Sequence, residues 1–194
     1  MKPIKKTKWK KYNIIYCDPP WNYADQGCQG TMANHYRGMK LGNIKALPVE
    51  SIADKDCVLF LWATYPMLKE ALEVIEAWGF KYKTIAFQWV KLNKRGKGYF
   101  FGLGRWTRGN TECCLLATKG KPKRISASVS QIIEEPLTRH SEKPSIVRNK
   151  IVELIGDLSR VELFARQKTE GWDVWGNEVE SDIDLVNYKQ DENN

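Results

Sequence analysis

Apolar residues collect in short, well-separated runs along this chain. Asn13 to Cys17 joins β-branched and aromatic side chains without helical spacing and predicts a buried strand. Asp18-Pro19-Pro20-Trp21 follows. Neither proline can donate to a ladder, so the strand must end in a stiff turn. Asp56 to Trp62 is apolar after its first residue and reads as a strand buried on both faces. From Pro66 to Trp78 the apolar positions 68, 71, 72, 75 and 78 fall on one helical face, with Pro66 suited to the first turn and Gly79 to the stop. Thr84 to Val90 returns to strand character, which makes a βαβ unit and points to a parallel sheet. Glu112 to Thr118 is a further strand. Val147, Ile151, Leu154, Ile155 and Leu158 recur at helical spacing, then come a strand at Val161 to Phe164 and a short one at Trp172 to Trp175. Residues 22–40 and 126–143 carry no periodicity. A long stretch of that kind in a compact domain is usually functional or disordered, and His35-Tyr36 in the first of them is placed to close over a site.

The expected architecture is α/β, a mostly parallel sheet with helices on both faces. With 194 residues there is room for one domain, set at 12–180, with a basic flexible arm at 1–11 and a polar acidic tail at 181–194. A domain of this size buries roughly 70% of its unfolded surface and needs no staples. Thirty-one Lys and Arg against 23 Asp and Glu leave a charge of +8, which favours an anionic partner such as nucleic acid. Five cysteines without a Cys-x-x-Cys pair, and only two histidines, suit a reducing cytoplasm and argue against a structural zinc site. No apolar run approaches the length of a membrane span, and the basic N-terminus has no signal-peptide core.

The chemistry concentrates at Asp18 to Trp21. In open α/β sheets ligands sit beyond the carboxyl ends of strands. A carboxylate and the Pro19 carbonyl can each accept one proton of an exocyclic amine, turning its lone pair outward. Trp21 offers a face for a base to stack on, worth roughly 1–3 kcal/mol. Positioning a neutral amine against an activated methyl supplies most of the catalysis without a strong base. The plain alternative is a strand that ends in a Pro-Pro loop with a surface Trp. Residues 91–110 mix Lys91, Lys94, Arg95, Lys97, Arg105 and Arg108 with Tyr99, Phe100, Phe101 and Trp106 among glycines. That mixture suits a nucleic-acid groove and equally a surface hairpin; its glycines match neither the dinucleotide nor the P-loop pattern.

Five pieces occur in order: Asp18-Pro19-Pro20-Trp21, Arg105 to Glu112, His140-Ser141-Glu142-Lys143-Pro144, Glu162 to Arg166, and Gly171 to Glu178. Together they resemble the N6-adenine methyltransferases related to the catalytic subunit of the eukaryotic messenger-RNA adenosine methyltransferase, in a small bacterial or phage form. The resemblance covers roughly residues 12–179. It implies a Rossmann-like fold, S-adenosylmethionine as methyl donor, and a permuted order in which the catalytic turn precedes the cofactor strand.

By that resemblance Asp18 and the Pro19 carbonyl orient the amine, Pro20 shapes the turn and Trp21 packs the base. Tyr36, Arg105, Arg108, Glu112 and Lys143 fall on the substrate side. Asp18, Lys143, Phe164, Arg166, Asn177 and Glu178 fall on the cofactor side, with Asn177 and Glu178 taking the ribose hydroxyls. Taken singly, Glu112 and Lys143 read equally well as an ion pair, Arg166 as a surface charge and Asn177-Glu178 as a turn. The chain departs from many methyltransferases in having Ala165-Arg166-Gln167 where a glycine-rich loop often follows the cofactor strand. The implied activity is methylation of adenine N6 in DNA, with RNA methylation and a non-catalytic nucleic-acid-binding subunit as the rivals. DNA ranks ahead of RNA as partner, and a homodimer is left open.

Overall fold

Strand β1 is Tyr12–Cys17, two short helices follow at Leu41–Lys45 (α1) and Val49–Ile52 (α2), and β2 is Ala53–Ala63. A 3-10 turn leads into α3, Leu68–Ala77, and then come β3 at Lys81–Leu92, β4 at Thr111–Lys119 and β5 at Ile132–Pro136. Helix α4 is Ile146–Ile155, and β6 (Arg160–Leu163) and β7 (Asp173–Trp175) close the order. The structure is a computed structural model and describes residues 10–22, 38–102, 104, 106–138 and 142–185. The expectations for Tyr36 and Arg105, for His140, and for most of the basic arm fall outside the described residues.

The strands form one sheet in the order β5-β3-β4-β2-β1-β6-β7. Pairs β1–β2, β1–β6, β6–β7 and β3–β5 are parallel, and β4 alone runs antiparallel, against β2 and β3. The expected βαβ unit is present, but β4 is inserted between its two strands. Strand periodicity splits the sheet's side chains cleanly. Ile15, Cys17, Leu59, Leu61 and Leu163 face α1, α2 and α3 on one side. Ile14, Tyr16, Phe60, Trp62 and Trp172 pack with Val147, Ile151 and Ile155 of α4 on the other. Helices on both faces of a mostly parallel sheet are the Rossmann-like arrangement expected.

Three elements were not anticipated. Helices α1 and α2 are five and four residues long, too short for a repeat to register. Strand β5 has only Ile132-Ile133 as an apolar core and pairs with β3 alone, so Ile133 is buried while Ile132 faces out. At the two edges of the described residues the chain is also held by side-chain contacts and burial. Lys10 pairs with Asp173, Lys11 donates to the Ser51 carbonyl, and Leu185 is buried in the core.

The chain leaves β1 toward β2 on one side and returns to β6 on the other. That reversal makes the carboxyl ends of β1 and β6 the switch point, where an open sheet leaves a crevice. Cys17 pairs with Leu163, so Asp18 and Phe164 leave the sheet side by side.

Candidate active site

A cleft opens at that point, lined by Tyr16, Asp18, Glu142, Lys143, Arg148, Glu162, Phe164, Arg166, Gln167 and Glu178. Asp18 from the first turn and the residues after β6 therefore share one cavity. Phe164 is the one described non-glycine residue with a positive φ, at 61°. Such a conformation costs about 1–3 kcal/mol and persists only where its surroundings fix it. Here the ring packs edge-on against Trp175, with centroids 5.3 Å apart. Arg166, two residues further on, lines the cleft beside it.

The charges alternate. Lys143 Nζ lies 2.8 Å from Asp18 Oδ2 and 3.2 Å from Glu112 Oε2, and Lys91 Nζ pairs with Glu112 Oε1. The ammonium of Lys143 also sits over the Trp62 ring, 5.6 Å from its centroid. Burial alone would discharge Lys143, but Asp18 and Glu112 outweigh it and raise its pKa, so it is a fixed cation. Burial likewise pushes Glu112 up, and Lys143 and Lys91 more than reverse that, holding it below the usual glutamate range. Asp18 goes the other way: burial raises its pKa above the ordinary value despite the opposing Lys143. Under the same cleft Arg148 grips Glu162 through two hydrogen bonds of 2.7 Å. Its guanidinium lies 5.6 Å from the centre of the Tyr16 ring, whose hydroxyl accepts from Trp62 Nε1 at 2.8 Å. At the mouth Arg166 and Glu178 are 3.1 Å apart.

One expectation for the turn is corrected. Trp21 presents no stacking face: its side chain is 4% exposed, sits in the core and donates from Nε1 to the Trp62 carbonyl at 3.0 Å. An indole beside a strand end buries more apolar surface by folding back over Cys17 and Leu61 than by standing in water. The Pro19 carbonyl accepts from Trp21 N–H at 2.8 Å in a three-residue turn. Its second lone pair remains. The Pro20 carbonyl accepts from Met39 N–H at 2.8 Å, which pins the far end of the segment that leaves the turn.

Of the remaining expected residues, Asp18, Lys143, Phe164, Arg166 and Glu178 line the cleft. Glu112 joins it through Lys143. Arg108 and Asn177 are exposed and stand outside the lining, Asn177 next to Glu178. Arg148, Glu162 and Tyr16 were missed as site residues, because Arg148 reads as one more polar helix position and Tyr16 as one more apolar strand position. The available signal was the Glu of Glu162-Leu163-Phe164, an acid inside a strand otherwise apolar.

A mostly parallel sheet with helices on both faces, and a switch-point cleft shared by an Asp-Pro-Pro-Trp turn and an acid-bearing loop after a neighbouring strand, defines a Rossmann-like methyltransferase. Comparison with known families narrows this: the MT-A70 family model matches residues 12–178, and the chain belongs to that family. Type II methyltransferase M.MunI of Mycoplasma sp is 36% identical over 190 residues, covering 88% of this chain and 78% of that protein. A putative N(6)-adenosine-methyltransferase MT-A70-like protein of Medicago truncatula is 30% identical over 179 residues, covering 91% of this chain and 28% of that one. The N(6)-adenine-specific methyltransferase METTL4 of Mus musculus is 28% identical, over 88% of this chain and 38% of its own length. The chain thus spans most of the bacterial relative and well under half of the plant and mouse ones.

Proposed function

We propose that the protein transfers a methyl group from S-adenosylmethionine to the N6 amine of adenine in DNA. One observation carries this: Asp18 shares a single cleft with Phe164, Arg166 and Glu178. The donor set fits the methyl donor. Glu178 can accept from a ribose diol, Arg166 can meet a carboxylate, and the Asp18 carboxylate in the same cleft suits a cationic sulfonium. When bound, that cofactor supplies a methyl on positively charged sulfur, open to in-line attack by a neutral amine.

The chain's own part is positioning. Asp18 accepts one N–H of the target amine and the remaining lone pair of the Pro19 carbonyl accepts the other, which draws the nitrogen out of conjugation with the ring. Lys143, held charged between two acids, fixes the Asp18 carboxylate in place. As the new N–C bond forms the amine becomes acidic. The proton it loses is already in the hydrogen bond to Asp18, whose proton affinity burial has raised. A DNA base must leave the helix to reach this cleft, at a cost of a few kcal/mol.

The DNA reading draws its support from the type II methyltransferase, which this chain matches over most of its length, and from the adenine-specific mouse relative. The plant relative's name, an adenosine methyltransferase, supports the RNA reading. The setting we infer is cytoplasmic; among the described residues no helix is long and apolar enough to cross a membrane. The test is Asp18→Asn, which keeps shape and removes charge, with methyl incorporation into duplex DNA and into RNA as parallel readouts. A loss of about 100-fold or more on DNA is expected. Undiminished transfer would end this mechanism, and transfer confined to RNA would replace the substrate.

A further inference from the structure

From Lys91 to Asn110 the chain has six cations and no acid. The segment bridges β3 and β4, whose ends hold it: Lys91 N–H donates to the Asn110 carbonyl and Phe100 N–H to the Lys91 carbonyl, both at 2.8 Å. Beyond that clamp the two backbones run so close that a Cβ at Gly102 would overlap the Gly109 carbonyl, and one at Gly104 would overlap that of Thr107. The result is a narrow ribbon. Near its tip Trp106 is 99% exposed, with Phe101 at 76% and Tyr99 at 56%. Lys94, Arg95, Lys97 and Arg108 are exposed around them.

Exposed aromatic rings interleaved with cations on one segment are the combination that stacks bases and holds phosphates. The dense positive charge on the same ribbon selects an anionic partner. Trp106 is six residues from Glu112, so it lies within about 20 Å of the charge network that holds Asp18. Since Trp21 is buried, the stacking surface that a base-flipping enzyme requires has to come from another side chain.

We propose that Trp106 inserts into the DNA base stack where the target adenine leaves it, while the ribbon's cations hold the flanking phosphates. This rests on the DNA reading above and adds the residue that compensates the unstacking. Proteins that insert an apolar wedge between base steps use such a contact to stabilise a deformed duplex.

The experiment compares wild type, Trp106→Ala and Trp106→Phe in methyl transfer to methylation-free duplex DNA, in calorimetric binding of S-adenosylmethionine, and in the salt dependence of non-specific DNA binding. Loss of one stacking contact predicts a fall of roughly 5- to 140-fold in transfer for the alanine variant. Phenylalanine should recover most of it. The salt slope should be unchanged, because no charge is removed, and cofactor affinity should stay within twofold. Transfer by the alanine variant equal to wild type would overturn the proposal, as would a parallel loss of cofactor binding. A wild-type dimer that the alanine variant converts to monomers would assign the ribbon to a second copy and overturn it too. If wild type methylates no DNA at all, it is the substrate reading that has failed.

Discussion

Lys143 is the hinge of the site's electrostatics, because each of its two partners depends on it. Glu112 has a lowered pKa, so its contribution to stability is present above its ordinary value of 4.5 and is lost as pH falls through the depressed one. Lys143 has a raised pKa, so its contribution is present below 10.5 and is lost as pH rises past that. The network is therefore whole across the neutral range. Asp18 behaves differently. Burial raises its pKa, so the acid limb of kcat/KM should fall at a pH above its ordinary 3.8. Lys143→Met removes the nearest cation that opposes this rise, and the limb should move further upward in a pH–rate profile. A limb that stays put would mean that Asp18 is not the titrating group. Trp21 gives a second test at this scale. As a core residue it should lose about 3–5 kcal/mol of unfolding free energy when changed to alanine, as measured in denaturant. A surface stacking residue would lose almost nothing.

Helix α4 meets β6 through Arg148 and Glu162, whose side chains are 11% and 10% exposed. A charge left alone in such a place is costly, typically about 3–5 kcal/mol, whereas removing both partners is often nearly neutral. Arg148→Met should thus destabilise strongly, and Arg148→Met with Glu162→Gln should recover much of the loss in urea melts. Additive losses in the double variant would show that the two groups do not act as a pair. The pair also marks what could be read in advance and what could not. The turn after β1 was legible because its proline pair and acid are contiguous, and strand character in β1, β2 and β4 shows in apolar runs at least four residues long. Arg148 and Glu162 are 14 residues apart, and Lys91 and Glu112 are 21 apart. Such pairings are fixed only when α4 docks on β6 and β3 pairs with β4, so no local pattern carries them. The insertion of β4 between β2 and β3 is tertiary in the same sense: each strand was visible, but not its neighbours. Trp21 failed for a related reason, since the sequence gives an indole after a turn but not the side toward which the turn folds.

Over the whole molecule the two halves of the cleft come from opposite ends of the chain, Asp18 from its start and Arg166 and Glu178 from near its end. A ligand spanning both should staple β1 to the β6–β7 end. Binding to the folded state alone adds about 2.7 kcal/mol at a hundred times Kd. For a domain of this length that raises Tm by roughly 5–10 °C. The contact that sets the second half is backbone on backbone: Ala165 N–H donates to the Trp175 carbonyl at 2.9 Å, and a Cβ on Gly176 would overlap the Ala165 carbonyl. Gly176→Ala should therefore push the turn carrying Asn177 and Glu178 away from Arg166 while leaving Asp18 and Lys143 where they are. S-adenosylmethionine should then shift the thermal transition of wild type by several degrees and that of Gly176→Ala by far less. An equal shift in both proteins would show that the turn after β7 takes no part in holding the cofactor, and the acids and cations around Asp18 would have to do it alone.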